Sequence, residues 1–201
     1  MPTLDRQEGY VVAHETLLTE LKAMWTDPMV QLYHDAELPE HSKQKGSIFL
    51  AGPTSRNQVL HCQWRATAVA ILRKRGFAGW IYCPEPRGFE ILGDFTERSY
   101  IHQWESSRLV TPTTCADHAV FWIPRKADEL LGLNTNLELG IFLGMKMQIG
   151  SVHWQPNSLF IGWPDGAERM GLPNHYMNEV NQTRYSDLES LCADLVASRN
   201  R

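Results

Sequence analysis

Residues 118–147, HAVFWIPRKADELLGLNTNLELGIFLGMKM, contain the pattern that decides the fold. The run HAVFWIP at residues 118–124 is apolar and ends in a proline, which is typical of a buried strand. A polar loop follows, and the stretch from about Thr135 to Met147 predicts a helix. We expect this helix to be deeply packed, because it is apolar on nearly every side. A strand followed by a helix is the first half of a β-α-β unit.

The same alternation continues on both sides of this stretch. Further strand candidates are SIFLAG at 47–52, GWIYCP at 79–84, IGSVHW at 149–154 and SLFIGW at 158–163, and further helices are predicted near 58–75, within 97–110 and at about 186–197. Such alternation predicts an α/β fold, a doubly wound parallel sheet of about five strands with helices on both faces. Residues 1–45 are rich in polar residues and turn formers and contain one predicted helix at about 14–25, so we expect an N-terminal extension ahead of a catalytic domain at 46–201.

Composition excludes several classes of protein. Of the 201 residues, 43% are hydrophobic and 21% charged, which fits neither a disordered chain nor a membrane protein. A net charge of -4 provides no field that would attract nucleic acid or a lipid surface, so a small-molecule ligand is expected. The four cysteines and eight histidines lack metal-ligand spacing, and the first residues lack a signal sequence. We therefore expect a cytoplasmic protein with no metal and no cofactor.

Ligands of doubly wound folds bind beyond the carboxyl ends of the strands, so the residues there are the candidate site. Gly52 would let a ligand approach the backbone, and the Thr54 hydroxyl can donate a hydrogen bond. This turn is neither G-x-G-x-x-G nor a Walker loop, which argues against dinucleotide redox chemistry and ATP hydrolysis. The residues expected to bind substrate are Gly52, Pro53, Thr54, Arg56, Glu85, Trp104, Arg125 and Asn136.

Two interpretations stand side by side for each acidic candidate. Glu138 could complete a capping box with Thr135, or it could be a rigid, partly desolvated nucleophile at the mouth of the sheet. Glu85 could form a surface ion pair with Arg87 instead of serving the site. Trp104 and Glu105 could equally be a buried indole beside a solvated carboxylate.

The ordered motifs of residues 47–163 resemble the nucleoside 2-deoxyribosyltransferase-like family. The motifs are FLAGPT at 49–54, Trp64-Arg65, Trp104-Glu105, Ala116-Asp117 leading into FWIPR at 121–125, and TNLELG at 135–140. The resemblance implies a flavodoxin-like sheet, Glu138 as the nucleophile, Glu105 as a residue that orients the ribose or handles protons, and Asp128 as a second acid. It also implies a homodimer or higher homo-oligomer whose subunits help to close the pocket.

We therefore expect an enzyme that cleaves or transfers at the N-glycosidic bond of a nucleoside or nucleotide. A carboxylate near the anomeric carbon can stabilise positive charge there or form a glycosyl ester. The same chemistry would serve a hydrolase of NAD-like dinucleotides. A nucleotide-sensing module that binds without turnover is the alternative from another class.

Overall fold

The computed structural model describes residues 14–32, 46–54, 64–85, 95–109, 116–127, 130, 132–147 and 158–199. The helices are α1 (His14–Thr26), α2 (Trp64–Lys74), α3 (Phe95–Leu109), α4 (Leu133–Met147), α5 (Gly171–Glu179) and α6 (Leu188–Ser198). The strands are β1 (Val30–Leu32), β2 (Ile48–Ala51), β3 (Ile81–Cys83), β4 (His118–Trp122), β5 (Ser158–Gly162) and β6 (Arg184–Tyr185).

All six described strands form one parallel sheet in the order β1-β3-β2-β4-β5-β6. The prediction of an α/β fold with a parallel sheet is confirmed, but the sheet has six strands rather than about five. Neither β1 nor β6 was expected from the sequence. The strand candidate at 149–154 lies outside the described residues. Without β1, the remaining order is that of a flavodoxin-like sheet.

Alternation along the strands divides the core into two layers. Ile48 and Leu50 of β2 pack with α1, α2 and α6 on one face, whereas Phe49 and Ala51 pack with α3, α4 and α5 on the other. β4 shows the same division, with Val120 on the first face and Phe121 on the second. The sheet is thus buried on both sides, as a parallel sheet requires.

The described part of the expected N-terminal extension belongs to this core. The α1 side chains Leu21 and Met24 are each 1% exposed and pack in the same cluster as α2. β1 pairs with β3 in the register Val30 to Ile81, and Ile81 N–H donates to the Met29 carbonyl at 2.9 Å. Residues 14–32 therefore share one core with the chain beyond residue 46.

Helix α4 is less deeply packed than its composition predicts. Leu133, Leu137 and Ile141 are 62%, 70% and 39% exposed, and their spacing of four residues places them on one face. The opposite face, with Leu139, Phe142 and Leu143, is buried against the sheet. The expectation of a deeply packed helix is correct for one face and wrong for the other, because an apolar composition does not state how many neighbours the helix has.

The chain turns from one side of the sheet to the other between β2 and β4, so the topological switch point lies there. The two strands approach closely where β2 ends. A Cβ atom on Gly52 would lie 2.3 Å from the Trp122 carbonyl oxygen and 2.5 Å from the Trp64 ring, so only glycine fits. None of the described helices has the length and apolar character needed to cross a bilayer.

Candidate active site

A buried arginine at the start of α2 organises the carboxyl edge of the sheet. Arg65 is 1% exposed, and its guanidinium donates four hydrogen bonds. Nε donates to the Leu50 carbonyl at 2.9 Å and Nη2 to the Gly52 carbonyl at 2.5 Å. Nη1 donates to Thr54 Oγ1 at 3.1 Å and to Glu85 Oε1 at 2.5 Å. Arg65 therefore joins the ends of two neighbouring strands.

No role was predicted for Arg65, although the sequence contains a signal for one. Helical spacing places it on the same face of α2 as Ala68, Val69 and Leu72, all of which are buried. A charged residue on an apolar stripe must find partners inside the protein, which makes it a candidate for a built site.

Glu85 is buried, which contradicts the interpretation as a surface ion pair with Arg87. Its side chain is 5% exposed and pairs with Arg65 at 2.5 Å. Burial raises the pKa of the Glu85 carboxyl, and the charge and hydrogen bond of Arg65 oppose that rise. The loop that leaves β3 turns Glu85 inward over the end of the sheet, and Arg87 lies outside the described residues.

Glu105 on α3 and Glu138 on α4 lie within electrostatic reach of each other, and both helices pack on the same face of the sheet. Burial raises the pKa of Glu138 to about 8; the nearby charge of Glu105 adds to the rise and Arg65 opposes it. Burial also raises the pKa of Glu105, against the charges of Arg65 and His102, while Glu85 adds to the rise. His102 Nδ1 lies 3.5 Å from Glu105 Oε2 on the exposed side. At neutral pH Glu138 is therefore largely protonated.

The capping-box interpretation of Glu138 is wrong, because the helix starts earlier than expected. Gly132 adopts φ +61°, and α4 begins directly after it at Leu133. Thr135 is therefore the third residue of the helix and cannot be its cap. The backbone N–H of Asn136 already donates to the Gly132 carbonyl at 3.1 Å.

A second buried arginine, Arg125, lies where β4 ends. It is 4% exposed; Nη1 donates to the Arg169 carbonyl at 3.2 Å, and Nη2 donates to Asn136 Oδ1. Burial lowers the pKa of Arg125, and the neighbouring charge of Arg169 lowers it further. The predicted residues Arg125 and Asn136 thus contact each other and tie the end of β4 to the first turns of α4.

The other predicted residues fall into three groups. Gly52, Pro53 and Thr54 lie directly after β2, with the Pro53 carbonyl accepting from Trp64 Nε1 at 3.2 Å. Trp104 is 2% exposed and packs in the core, 6.0 Å from the Phe49 ring centroid, which matches the interpretation as a buried indole. Glu105 beside it is only 19% exposed, so it is not a solvated carboxylate. Arg56 and Asp128 lie outside the described residues.

In the described ranges no group of three or more His, Cys, Asp or Glu residues is arranged to hold a metal ion. The described side chains place two carboxyls with raised pKa values, Glu105 and Glu138, within electrostatic reach of the Arg65 guanidinium. Comparison with known proteins adds no constraint: no protein-family model matches the chain, and no curated protein matches it.

Proposed function

We propose that the protein cleaves or transfers at the N-glycosidic bond of a nucleoside or nucleotide. The observation that supports this is that Glu105 on α3 and Glu138 on α4, two largely buried carboxyls with raised pKa values, lie within electrostatic reach of each other and of Arg65. Glycosidic chemistry needs one carboxylate to attack and one carboxylic acid to give a proton. Two interacting carboxyls, one of which has its pKa raised to about 8, can supply both forms.

The reactive form is the one in which Glu138 is ionised and Glu105 holds the proton; it is a minor form of the free protein at pH 7, because the pKa of Glu138 is raised to about 8. In the first step a Glu138 carboxylate oxygen attacks the anomeric carbon as its bond to the base nitrogen breaks. The bonding electron pair leaves with that nitrogen, which takes the proton from Glu105, and a glycosyl ester of Glu138 remains. In the second step water or a second base attacks the same carbon. The ester bond breaks, Glu138 is released as a carboxylate, and the proton of the attacking group returns to Glu105. Water gives hydrolysis and a second base gives transfer.

The test is release of free base from a panel of nucleosides, nucleoside monophosphates and NAD, with and without an acceptor base. Glu138→Gln and Glu138→Ala should abolish release, because neither side chain can form the ester. Glu179→Gln on α5 is the matched control, since Glu179 is exposed. A Glu138 variant with wild-type turnover would refute the nucleophile. Tight binding of a nucleotide by the wild type without any release would instead identify a sensor.

The same helix supports a proposal on assembly. The exposed apolar face of α4 (Leu133, Leu137 and Ile141) is accompanied by the exposed side chains of Leu172 and Tyr176 on α5, which contacts α4. Large apolar side chains grouped on a surface are typical of an interface. Because α4 also carries Glu138, a second copy of this chain docked there would lie beside the site and help to exclude water from a glycosyl ester.

A stable homodimer needs roughly 1,200 Å² or more of total buried surface. The exposed faces of α4 and α5 together can supply part of that surface. Sedimentation of the wild type should show a dimer or larger assembly, and Leu137→Glu should shift it to the monomer. Ala197→Glu, an exposed position on α6 in the other helix layer, is the control and should leave assembly unchanged. A wild type that is monomeric at micromolar concentration yet fully active would contradict this proposal.

A further inference from the structure

Arg125 is a buried cation for which the described part of the chain provides no anion. Its side chain follows β4 and is 4% exposed. None of the ion pairs formed by the described residues includes Arg125, whereas the buried Arg65 pairs with Glu85 at 2.5 Å. A buried charge is costly unless an opposite charge accompanies it. Arg125 therefore has the character of a binding group for an anion.

The hydrogen bonds of the Arg125 guanidinium fix its orientation but leave its charge uncompensated. Nη1 donates to the Arg169 carbonyl at 3.2 Å and Nη2 donates to Asn136 Oδ1, and both acceptors are neutral. Nε is buried and has no acceptor among the described residues. Each Nη atom carries two N–H groups, so a second one remains on each after these contacts. Asn136 is exposed, so the Nη2 end of the guanidinium lies next to solvent, where a ligand can reach it.

The start of α4 adds positive potential at the same place. The helix has 15 residues, and the backbone N–H groups of its first turn have no acceptor within the helix. They give the helix start a partial positive charge, and the first turn contains no acidic residue that would balance it. Asn136, which accepts from Arg125, is the fourth residue of this helix. A cation beside a helix N-terminus is unfavourable by itself, so both features favour an anion between them.

This positive site lies in the crevice where a doubly wound fold binds its ligand. A Cβ atom on Gly132, the residue before α4, would lie 3.0 Å from Pro53 Cβ, so the helix start packs against the turn after β2. Arg125 follows β4, the strand beside β2 at the switch point. Glu138 lies two residues beyond Asn136, which is about 3 Å along the axis of the same helix. The site is therefore close to the proposed nucleophile.

We propose that Arg125 and the first turn of α4 bind the phosphate monoester of a nucleoside 5'-monophosphate, so that the protein acts on nucleotides rather than on free nucleosides. The identity of the substrate rests on the proposed function, whereas phosphate binding is a property of the free protein. Phosphate fits the site because its oxygens accept hydrogen bonds both from a guanidinium and from backbone N–H groups. It also carries about two negative charges at neutral pH, which balance the cation and the helix start together.

The test measures the binding of sugar phosphates to the full chain by isothermal titration calorimetry, because these probes require no knowledge of the base. Ribose 5-phosphate and 2-deoxyribose 5-phosphate are compared with ribose and 2-deoxyribose, and inorganic phosphate serves as a competitor. The main variant is Arg125→Met, which keeps an unbranched stem and removes the charge. Arg75→Met is the matched control, because Arg75 pairs with Glu189 at 2.9 Å in the other helix layer.

A second variant tests the contribution of the helix. Asn134 is exposed in the first turn of α4, and Asn134→Asp would place a negative charge beside the N–H groups there with almost no change in shape. The new carboxylate should repel the phosphate and weaken its binding about threefold. It should also stabilise the helix, so the loss of affinity would not come from unfolding. Ala197→Glu, exposed on α6, adds the same charge elsewhere and should leave the affinity unchanged.

The wild type should bind each sugar phosphate at least about tenfold more tightly than the matching sugar, because a charged hydrogen-bonding group is gained. Arg125→Met should lose that difference, and Arg75→Met should retain it. A wild type that does not distinguish ribose 5-phosphate from ribose would overturn the proposal, and so would a folded Arg125→Met protein that still does. If Arg125→Met fails to fold, an unchanged affinity in Asn134→Asp overturns it instead.

Failure of this inference and failure of the proposed function are distinguishable. If base is released, kcat/KM should be at least about tenfold higher for nucleoside monophosphates than for nucleosides, and Arg125→Met should lower that ratio. An active enzyme that prefers nucleosides would overturn the inference and leave the glycosidic function intact. A wild type that releases no base from any substrate would refute the glycosidic function, while the binding of ribose 5-phosphate would still report on Arg125.

Discussion

Replacement of Glu138 by glutamine should stabilise the protein, and the gain should grow with pH. The pKa of Glu138 rises from an ordinary 4.5 to about 8 on folding, so the unfolded chain releases this proton first. Between those two values the unfolded state therefore binds fewer protons than the folded state, and the stability of the wild type falls as pH rises. Glutamine resembles the protonated acid and does not titrate. The two proteins should thus be about equally stable near pH 4 and diverge above it.

The size of the effect follows from the same shift. Each pH unit between 4.5 and the folded pKa is worth about 1.4 kcal/mol, so Glu138→Gln should gain about 3 kcal/mol at pH 7 and level off above pH 8. Chemical denaturation of both proteins at pH 5, 6, 7 and 8 measures it, with the exposed Glu179→Gln as the control. If the two proteins had equal free energies of unfolding across this range, or if Glu138→Gln were less stable than the wild type at pH 8, the claim that burial raises the pKa of Glu138 would be refuted.

Two further expectations concern glycines and cysteines. Gly52→Ala should lower the free energy of unfolding by about 3 kcal/mol, because the new methyl group would overlap the Trp122 carbonyl oxygen. Gly140→Ala on α4 should raise it by about 1 kcal/mol, because the space around Gly140 is open. Thermal unfolding of the two variants and the wild type measures both changes. Burial raises the pKa of both Cys83 and Cys192 to about 12, so neither should react with iodoacetamide at pH 8 until the protein unfolds, as labelling followed by mass spectrometry would show.

The sequence predicts those parts of the fold that carry their own periodicity. The apolar runs of β2, β3, β4 and β5 and the helices between them were found because each contains several apolar residues in a row or at helical spacing. β1, with three residues, and β6, with two, are too short to show a pattern, and they are strands because a neighbouring strand offers them hydrogen bonds. Helix α5 was likewise not predicted, because only Met177 of its nine residues is buried.

For the site, the sequence identifies side chains but not their partners. Glu105 and Glu138 are expected from their motifs, and the structure places them within electrostatic reach of each other. Glu85 pairs with Arg65, 20 residues away, and not with its near neighbour Arg87. No local sequence pattern indicates a contact between residues so far apart in the chain. The start of α4 was misplaced because the backbone of Gly132, rather than the Thr135 hydroxyl, sets it.

The position of β1 has a practical consequence for anyone who shortens this protein. β3 lies between β1 and β2, so a chain cut back to residues 46–201 would turn β3 into an edge strand with unpaired backbone groups along Ile81–Cys83. The same cut would remove Leu21 and Met24 and leave apolar side chains of α2 in contact with water. An uncovered edge beside an apolar face favours pairing between molecules, so the shortened chain should aggregate on expression.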